Sequence, residues 1–466
     1  MASLYIETFG CQMNEADSQY IADRATSAGY DIAGKPEEAN VVVVNTCTVR
    51  DNAQRRAYGR INHLKALKDA DPGLRLVVTG CLAEQDHERM RVLAPHVDAV
   101  FGTRELGQLA DQLKAWQPNF ADQIDFTDER ALVMPLGGSA DAIADAFSPL
   151  RAFVNVQRGC SYYCTFCIVP HVRGRFDHRP VGTIVDEVRA KIAAGAREVM
   201  LVGQTVNAWK DSVAAADFGD LCRAVGQLAG LERLTFISPH PKDFSEKIIA
   251  DLAAVPQLNP RIHLPLQSAS DAVLRRMNRK YTAAGFADKV ALIRRYLPHW
   301  AITTDLIVGF PGESDDDFER TLACVRSGVF ANAFTFMYSI RTGTPAAHWE
   351  QVPPSVAAAR FAKLVDAQNA VTRAYHDAKL GTQVRALISG TSKKDPAKLA
   401  AKTLDNVTVV ASKPDDYDER LYAREPWLDV AIETAHVWGC SGSVLRRARA
   451  YAAAGSDVAA RAISLL

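Results

Sequence analysis

Short runs of β-branched residues alternate with stretches whose apolar positions recur every three or four residues through most of this chain. In the first 118 residues the runs "SLYIETFG", "NVVVVNTC", "LRLVVTGC" and "VDAVFG" predict strands, since a strand buried on both faces is apolar at every position. Between them "NEADSQYIADRATSAGY", "DNAQRRAYGRINHLKALKDADPG" and "EQDHERMRVLAP" carry the longer period of helices. Strands alternating with helices predict a doubly wound parallel α/β domain over 1–118. An acidic, poorly periodic stretch at 119–145 reads as a linker.

The alternation resumes on a larger scale over 146–380. Six further runs, "AFVNVQ", "EVMLVGQ", "RLTFIS", "RIHLPL", "AITTDLIVGF" and "AFTFMYSI", alternate with helical segments such as "VGTIVDEVRAKIAAGA" and "DDDFERTLACVRSG". Repeated βα units of this kind predict a partial or full barrel. Over 381–446 the pattern changes to short strands, "QVRALISG", "NVTVVAS" and "WLDVAIETAHVW", divided by polar turns, which predicts a small antiparallel β-barrel. Residues 447–466 read as a tail. The fold class is therefore α/β with a terminal all-β module.

Composition narrows the functional classes. The 466 residues carry 54 basic and 54 acidic side chains, so no global field draws the chain to nucleic acid or membranes. No apolar run reaches the length of a membrane span and the N-terminus lacks the layout of a signal peptide, so a cytoplasmic location is expected. Nine cysteines, an odd number, suit reduced thiols kept for metal or catalysis better than a disulfide framework.

Six of those cysteines form two sets. Cys160, Cys164 and Cys167 make a C-x-x-x-C-x-x-C array within "RGCSYYCTFCIVPHVRGR", on a loop just after the first strand of the middle region. Thiolates so close together are stabilised by a shared soft cation, iron or zinc. A closed zinc site needs a fourth ligand, for which His171 is the nearest candidate. A 4Fe-4S cluster with one iron open needs only the three. The second set is dispersed: Cys11, Cys47 and Cys81 each follow a different predicted strand, at the edge where doubly wound sheets bind ligands. Cys222, Cys324 and Cys440 lie in other contexts and read as packing residues.

The loop array resembles that of radical S-adenosylmethionine enzymes. With "TFGCQMNEADS", "NTCTVR", "VGQTVNAW", "HLPLQSAS", "DLIVGFPGE" and "RTGTPAA", residues 3–446 resemble the methylthiotransferases, in the MiaB-type branch that modifies tRNA. The resemblance implies two 4Fe-4S clusters and S-adenosyl-L-methionine as cofactors, one cluster on Cys160, Cys164 and Cys167 and the other on Cys11, Cys47 and Cys81. It implies insertion of a methylthio group at carbon 2 of N6-isopentenyladenosine beside the tRNA anticodon. It also implies an electron-donor protein and a sulfur source as partners. Sister branches act on threonylcarbamoyl-adenosine or on a ribosomal-protein aspartate, and "GCQMN" favours the first branch. A metal-stabilised RNA-binding protein without turnover is the alternative of another class.

Gln204, Asn207, Ser238, His240, His263, Gln267 and Asp305 stand near strand ends, where barrel enzymes build their sites, and are candidate cofactor contacts. Arg173 is a candidate partner for the cofactor carboxylate or an RNA phosphate. No residue is assigned a catalytic acid or base role. The terminal barrel resembles the TRAM module, an RNA-binding fold, and Lys393, Lys394, Lys398 and Lys402 give it a local basic stretch, although its nine basic and nine acidic residues balance.

Overall fold

The computed structural model describes residues 2–49, 51–116, 150–392, 394–414, 417–418 and 425–448. The expected linker at 119–145 lies outside the described residues, as do Lys393 and 449–466 of the expected tail. The chain divides into two units. The first comprises Met1–Tyr163, Cys167–Ala216 and Leu228–Leu231, and the second Cys164–Phe166, Asp217–Gln227 and Glu232–Leu466.

The first unit contains a five-stranded sheet in the order β2-β1-β3-β4-β5, with β1 Ser3–Thr8, β2 Asp31–Ile32, β3 Val41–Thr46, β4 Arg75–Gly80 and β5 Ala99–Phe101. The described pairings are all parallel, and the register sets Thr8 beside Asn45 and Thr46 beside Gly80. The apolar run of β3 is buried throughout because helices cover both faces of the sheet. Val41 and Val43 pack with Ile21, Leu106 and Leu109, whereas Val42 and Val44 pack with Ile61, Leu64 and Met90. Successive side chains of a strand point to opposite faces, so one run of valines serves two cores. The two-residue strand β2 escapes sequence reading because it is too short to show any period. In the same unit Arg151–Asn155 pairs in parallel with Glu198–Val202.

In the second unit Arg261–His263, Ala301–Val308 and Asn332–Met337 form a parallel sheet with the central strand between the other two. The helix Asp315–Arg326 is opened by a capping box in which Ser314 and Asp317 satisfy each other's backbone N–H groups.

The terminal module is a closed five-stranded barrel of Gln383–Thr391, Lys398–Thr403, Thr408–Ser412, Trp427–His436 and Gly439–Ala448. Its architecture is mixed, because Thr408–Ser412 pairs in parallel with Gly439–Ala448 while the other four pairings are antiparallel. No strand is expected for "GCSGSVLRRA" from its own pattern, and its last two residues fall in the expected tail, but its backbone completes the barrel. A Cβ on Gly442 would lie 1.8 Å from the Ala431 carbonyl oxygen, so the glycine permits the close strand approach. The basic stretch around Lys394 is the turn between the first two strands.

Candidate functional site

Strands β1, β3 and β4 are neighbours, so the residues that follow them share one end of the sheet. Cys11 precedes the helix Gln12–Ser27, Cys47 follows β3, and Cys81 opens the helix Cys81–Gln85. Cys47 and Cys81 are fully buried. The hydrogen bond with Cys47 lowers the Cys11 thiol to about 6, burial opposing and the Arg173 charge assisting. The same contact, then burial, raises Cys47, and burial raises Cys81. Three thiols this crowded cannot all ionise unless a shared cation compensates them, which is the chemistry of a metal-cluster site. Gly10, at φ +125°, leaves the room Cys47 needs.

The floor of this crevice is polar. The Asn14 side-chain amide donates to the carbonyls of Phe9 and Thr46 at 2.9 and 2.8 Å, tying the helix to both strand ends. Asn45 donates back to the Asn14 carbonyl at 2.8 Å. Arg173 is buried here, with Nη2 donating to Asp17 Oδ2 at 2.7 Å and to Asn14 Oδ1 at 3.1 Å while Nε donates to Cys81 Sγ at 3.2 Å. Burial opposes its charge, but Asp17 and the cysteines keep the guanidinium protonated. The structure thus places Arg173 on a carboxylate and a thiol of the chain's own. Sequence reading missed Asn14 and Asp17. Their signal was "NEADSQ", a polar run buried along one side of a helix that should show an apolar stripe.

The loop array begins after Gly159, whose φ is +71° and whose missing Cβ would meet the Arg175 carbonyl oxygen at 1.9 Å. Gln157 shapes the same turn, donating to the Gly159 carbonyl at 2.7 Å. Cys160 Sγ lies 3.4 Å from Thr205 Oγ1, next to Gln204, and Cys167 is half-buried. In the second unit Cys164 is buried and accepts a hydrogen bond from Arg279 Nη1 at 3.3 Å. Arg279 Nε donates to Tyr281 Oη at 2.9 Å, and Tyr281 donates to the Pro265 carbonyl at 2.7 Å. Burial opposes the charge of Arg279, and Tyr281 and Cys164 sustain it. Arg279 and Tyr281, from "MNRKY", also escaped sequence reading, because nothing local distinguishes them from a solvated basic turn. His171, the candidate fourth zinc ligand, caps no cysteine in the described hydrogen bonds; its carbonyl accepts from Arg104 at 2.9 Å and its ring meets Tyr163 edge-on.

Comparison with known proteins decides between these chemistries. Residues 3–102 match the family described as Uncharacterized protein family UPF0004, and residues 154–325 match the Radical SAM superfamily. A tRNA-2-methylthio-N(6)-dimethylallyladenosine synthase of Saccharopolyspora erythraea is 43% identical, covering 84% of this chain and 80% of its own. Enzymes of the same name from Desulfitobacterium hafniense and Acidothermus cellulolyticus are 39% and 43% identical, over 85% and 86% of this chain and 88% and 81% of theirs. The chain belongs to the tRNA-2-methylthio-N(6)-dimethylallyladenosine synthase family. It is a radical SAM enzyme of the transferase class, and S-adenosylmethionine and an iron-sulfur cluster come with that membership. Among solved structures, the radical S-adenosylmethionine methyltransferase TsrM of Kitasatospora setae shares the fold, with a TM-score of 0.52 and 15% identity over 74% of this chain and 75% of its own. The cobalamin-dependent radical enzyme OxsB gives 0.51 and 10% identity over 80% and 56%.

The polar residues expected at strand ends of this synthase-family chain take distinct positions. In the first unit, the buried amide oxygen and nitrogen of Gln204 have no hydrogen-bond partner among the described residues, and Asn207 is buried in the turn Val206–Ala208. In the second unit Ser238 and Gln267 hold left-handed φ values of 56° and 69°, a strain that non-glycine residues keep where surroundings enforce it. His263 Nε2 pairs with Asp305 Oδ2 at 3.2 Å and its Nδ1 lies 3.1 Å from Thr303 Oγ1. His240 Nδ1 accepts from the Lys242 N–H at 3.2 Å and its ring lies 5.5 Å from that of Tyr281. Burial, then the charges of Arg279 and Lys242, depresses its imidazole to about 2. Through Tyr281 and Arg279, His240 is thus linked to Cys164.

On the barrel Lys394 and Lys398 are exposed, Lys398 facing Asp395 at 3.6 Å, while Lys402 donates to Thr408 Oγ1 at 2.6 Å along the barrel wall. Among the described residues, no helix is long and apolar enough to cross a membrane.

Proposed function

We propose that this chain attaches a methylthio group to carbon 2 of N6-isopentenyladenosine beside the anticodon of tRNA, with two 4Fe-4S clusters. The observation that carries this reading is the meeting of Cys11, Cys47 and Cys81 at the ends of three adjacent parallel strands, in addition to the loop array. A radical SAM enzyme needs one cysteine triad for its cofactor, and a second, built into a buried crevice, is what sulfur insertion requires. The names of the relatives support the tRNA substrate.

The residues present fit both groups: each triad offers three soft thiol donors, and in each an arginine, buried Arg173 or half-buried Arg279, donates to one sulfur. When bound, the loop cluster supplies the electron that cleaves S-adenosylmethionine to a 5'-deoxyadenosyl radical, and the other supplies the sulfur. Cys160, Cys164 and Cys167 hold the former and Cys11, Cys47 and Cys81 the latter. Gln204, with a buried and unanswered amide, offers one donor and one acceptor to S-adenosylmethionine. Asn207 of the first unit and, in the second unit, Ser238, His240, Gln267 and the His263–Asp305 pair are each further proposed contacts of the cofactor. Lys393, Lys394 and Lys398 contribute phosphate contacts, a reducing protein delivers the electron, and an external sulfur source restores the inserted atom. The 119–145 segment separates a sulfur-carrying domain over 1–118 from the radical core at 146–380, and 381–446 is an RNA-binding barrel.

The test is mass spectrometry of digested bulk tRNA from a deletion strain. Loss of the 2-methylthio nucleoside with accumulation of N6-isopentenyladenosine supports the reading, and an unchanged nucleoside profile sinks it.

A further inference from the structure

The chemistry of a cysteine-ligated cluster depends on the charge its sulfurs carry, and hydrogen bonds to those sulfurs withdraw it. In the strand-end crevice that role falls to one side chain. Arg173 is almost completely buried, yet its partners leave no ambiguity about where its donors point. Nη2 is held by Asp17 and Asn14, so the planar guanidinium is fixed from one edge. Asn14 is itself pinned by the carbonyls of Phe9 and Thr46, the residues that follow β1 and end β3. The orientation of the guanidinium is therefore set by the same strand ends that set the cysteines. The other donor, Nε, is directed at Cys81 Sγ, 3.2 Å away.

A protonated thiol is a weak acceptor, and a purely structural ion pair with Asp17 has no need of it. The contact makes chemical sense when the sulfur carries negative charge, as it does when it is an iron ligand. Asp17 matters equally. As the partner carboxylate, 3% exposed, it offsets most of the arginine's positive charge and leaves a directed hydrogen bond as the main influence on the sulfur.

We propose that Arg173, oriented by Asp17 and Asn14, is a positioning residue of the strand-end centre that sets its reduction potential through the hydrogen bond to the Cys81 sulfur. The assignment rests on the reading that Cys11, Cys47 and Cys81 hold a cluster. Removing the donor makes each added electron less welcome and lowers the potential. Removing the carboxylate leaves the guanidinium charge uncompensated and raises it. A charge without the hydrogen bond predicts no shift in R173K, which keeps the charge.

The test uses the full chain with Cys160, Cys164 and Cys167 changed to Ala, reconstituted anaerobically with iron and sulfide, so that only the strand-end centre reports. Iron content and the midpoint from an EPR-monitored redox titration are read for this parent and for R173M, R173K and D17N on the same background. R173M is expected to disfavour reduction at least tenfold, which for one electron is about 59 mV. R173K is expected to give a smaller shift of the same sign, because lysine keeps the charge and loses the fork. D17N is expected to shift the midpoint upward. Should R173M take up no iron, R173K and D17N still carry the comparison through their opposed shifts. Midpoints equal to that of the parent in R173K and D17N, or displaced in the same direction, overturn the inference. A parent that binds no iron overturns the cluster reading itself, and the inference with it.

Discussion

Gly10 lies against Cys47 so closely that a Cβ on the glycine would sit 2.4 Å from Cys47 Cβ and 2.8 Å from its sulfur. At φ +125° the same residue holds a backbone conformation that L side chains rarely adopt. Two independent constraints therefore exclude any side chain there. Gly10→Ala is expected to displace Cys47, lowering the iron content of the full chain by about half if each site holds one cubane. Cleavage of S-adenosylmethionine to 5'-deoxyadenosine is expected to continue. Full iron occupancy in this variant would show that the crevice accommodates what its geometry forbids.

The two cysteine triads are expected to separate cleanly on mutation. Cys164→Ala abolishes formation of 5'-deoxyadenosine, while the triple change of Cys11, Cys47 and Cys81 to Ala leaves it and ends methylthiolation. Anaerobic purification and visible spectra give the companion measurement. A brown protein supports iron-sulfur centres, and a colourless zinc protein overturns the two-cluster reading.

His240 is expected to stay neutral across the range in which ordinary histidines titrate. Its folded value is near 2 against about 6.5 for a free imidazole. The unfolded chain therefore binds the extra proton first. Stability from the neutral ring is complete above about pH 6.5 and declines below it, by about 1.4 kcal/mol per unit at most. In an NMR titration of nitrogen-labelled histidines, with His240→Gln assigning the signal among eleven, its resonance should not move between pH 8 and 5. The hydrogen bond from Lys242 N–H to Nδ1 further places the proton on Nε2. A resonance that titrates near 6 contradicts the buried placement.

For the barrel lysines, zero net charge means that RNA affinity depends on local ion pairing with phosphates. Changing Lys394 and Lys398 together to Ala is expected to weaken tRNA binding and to reduce the salt slope by about 0.7 to 0.9 for each phosphate that is no longer neutralised. S-adenosylmethionine cleavage without RNA stays unchanged. Superimposable plots of affinity against salt for the two proteins would assign this turn to solvent and move RNA recognition elsewhere.

What the sequence alone determined is what local pattern and covalent order determine. The valine run before Cys47 and the strand signals before Cys11 and Cys81 placed three thiols at strand ends, because a parallel strand buried on both faces is apolar throughout. The spacing of Cys160, Cys164 and Cys167 within eight residues marked the loop triad, because three thiols so close in the chain suit one shared soft cation. Tertiary structure decided what surrounds them. Arg173 finds Asp17 across 156 positions and Cys81 across 92, and Arg279 finds Cys164 across 115. No periodicity encodes such meetings, because a buried charge is tolerated only where folding assembles its partners. The same reason hid the last barrel strand: "GCSGSVLRRA" has no strand pattern of its own, and its backbone becomes a strand only because Trp427–His436 and Thr408–Ser412 offer hydrogen bonds on either side.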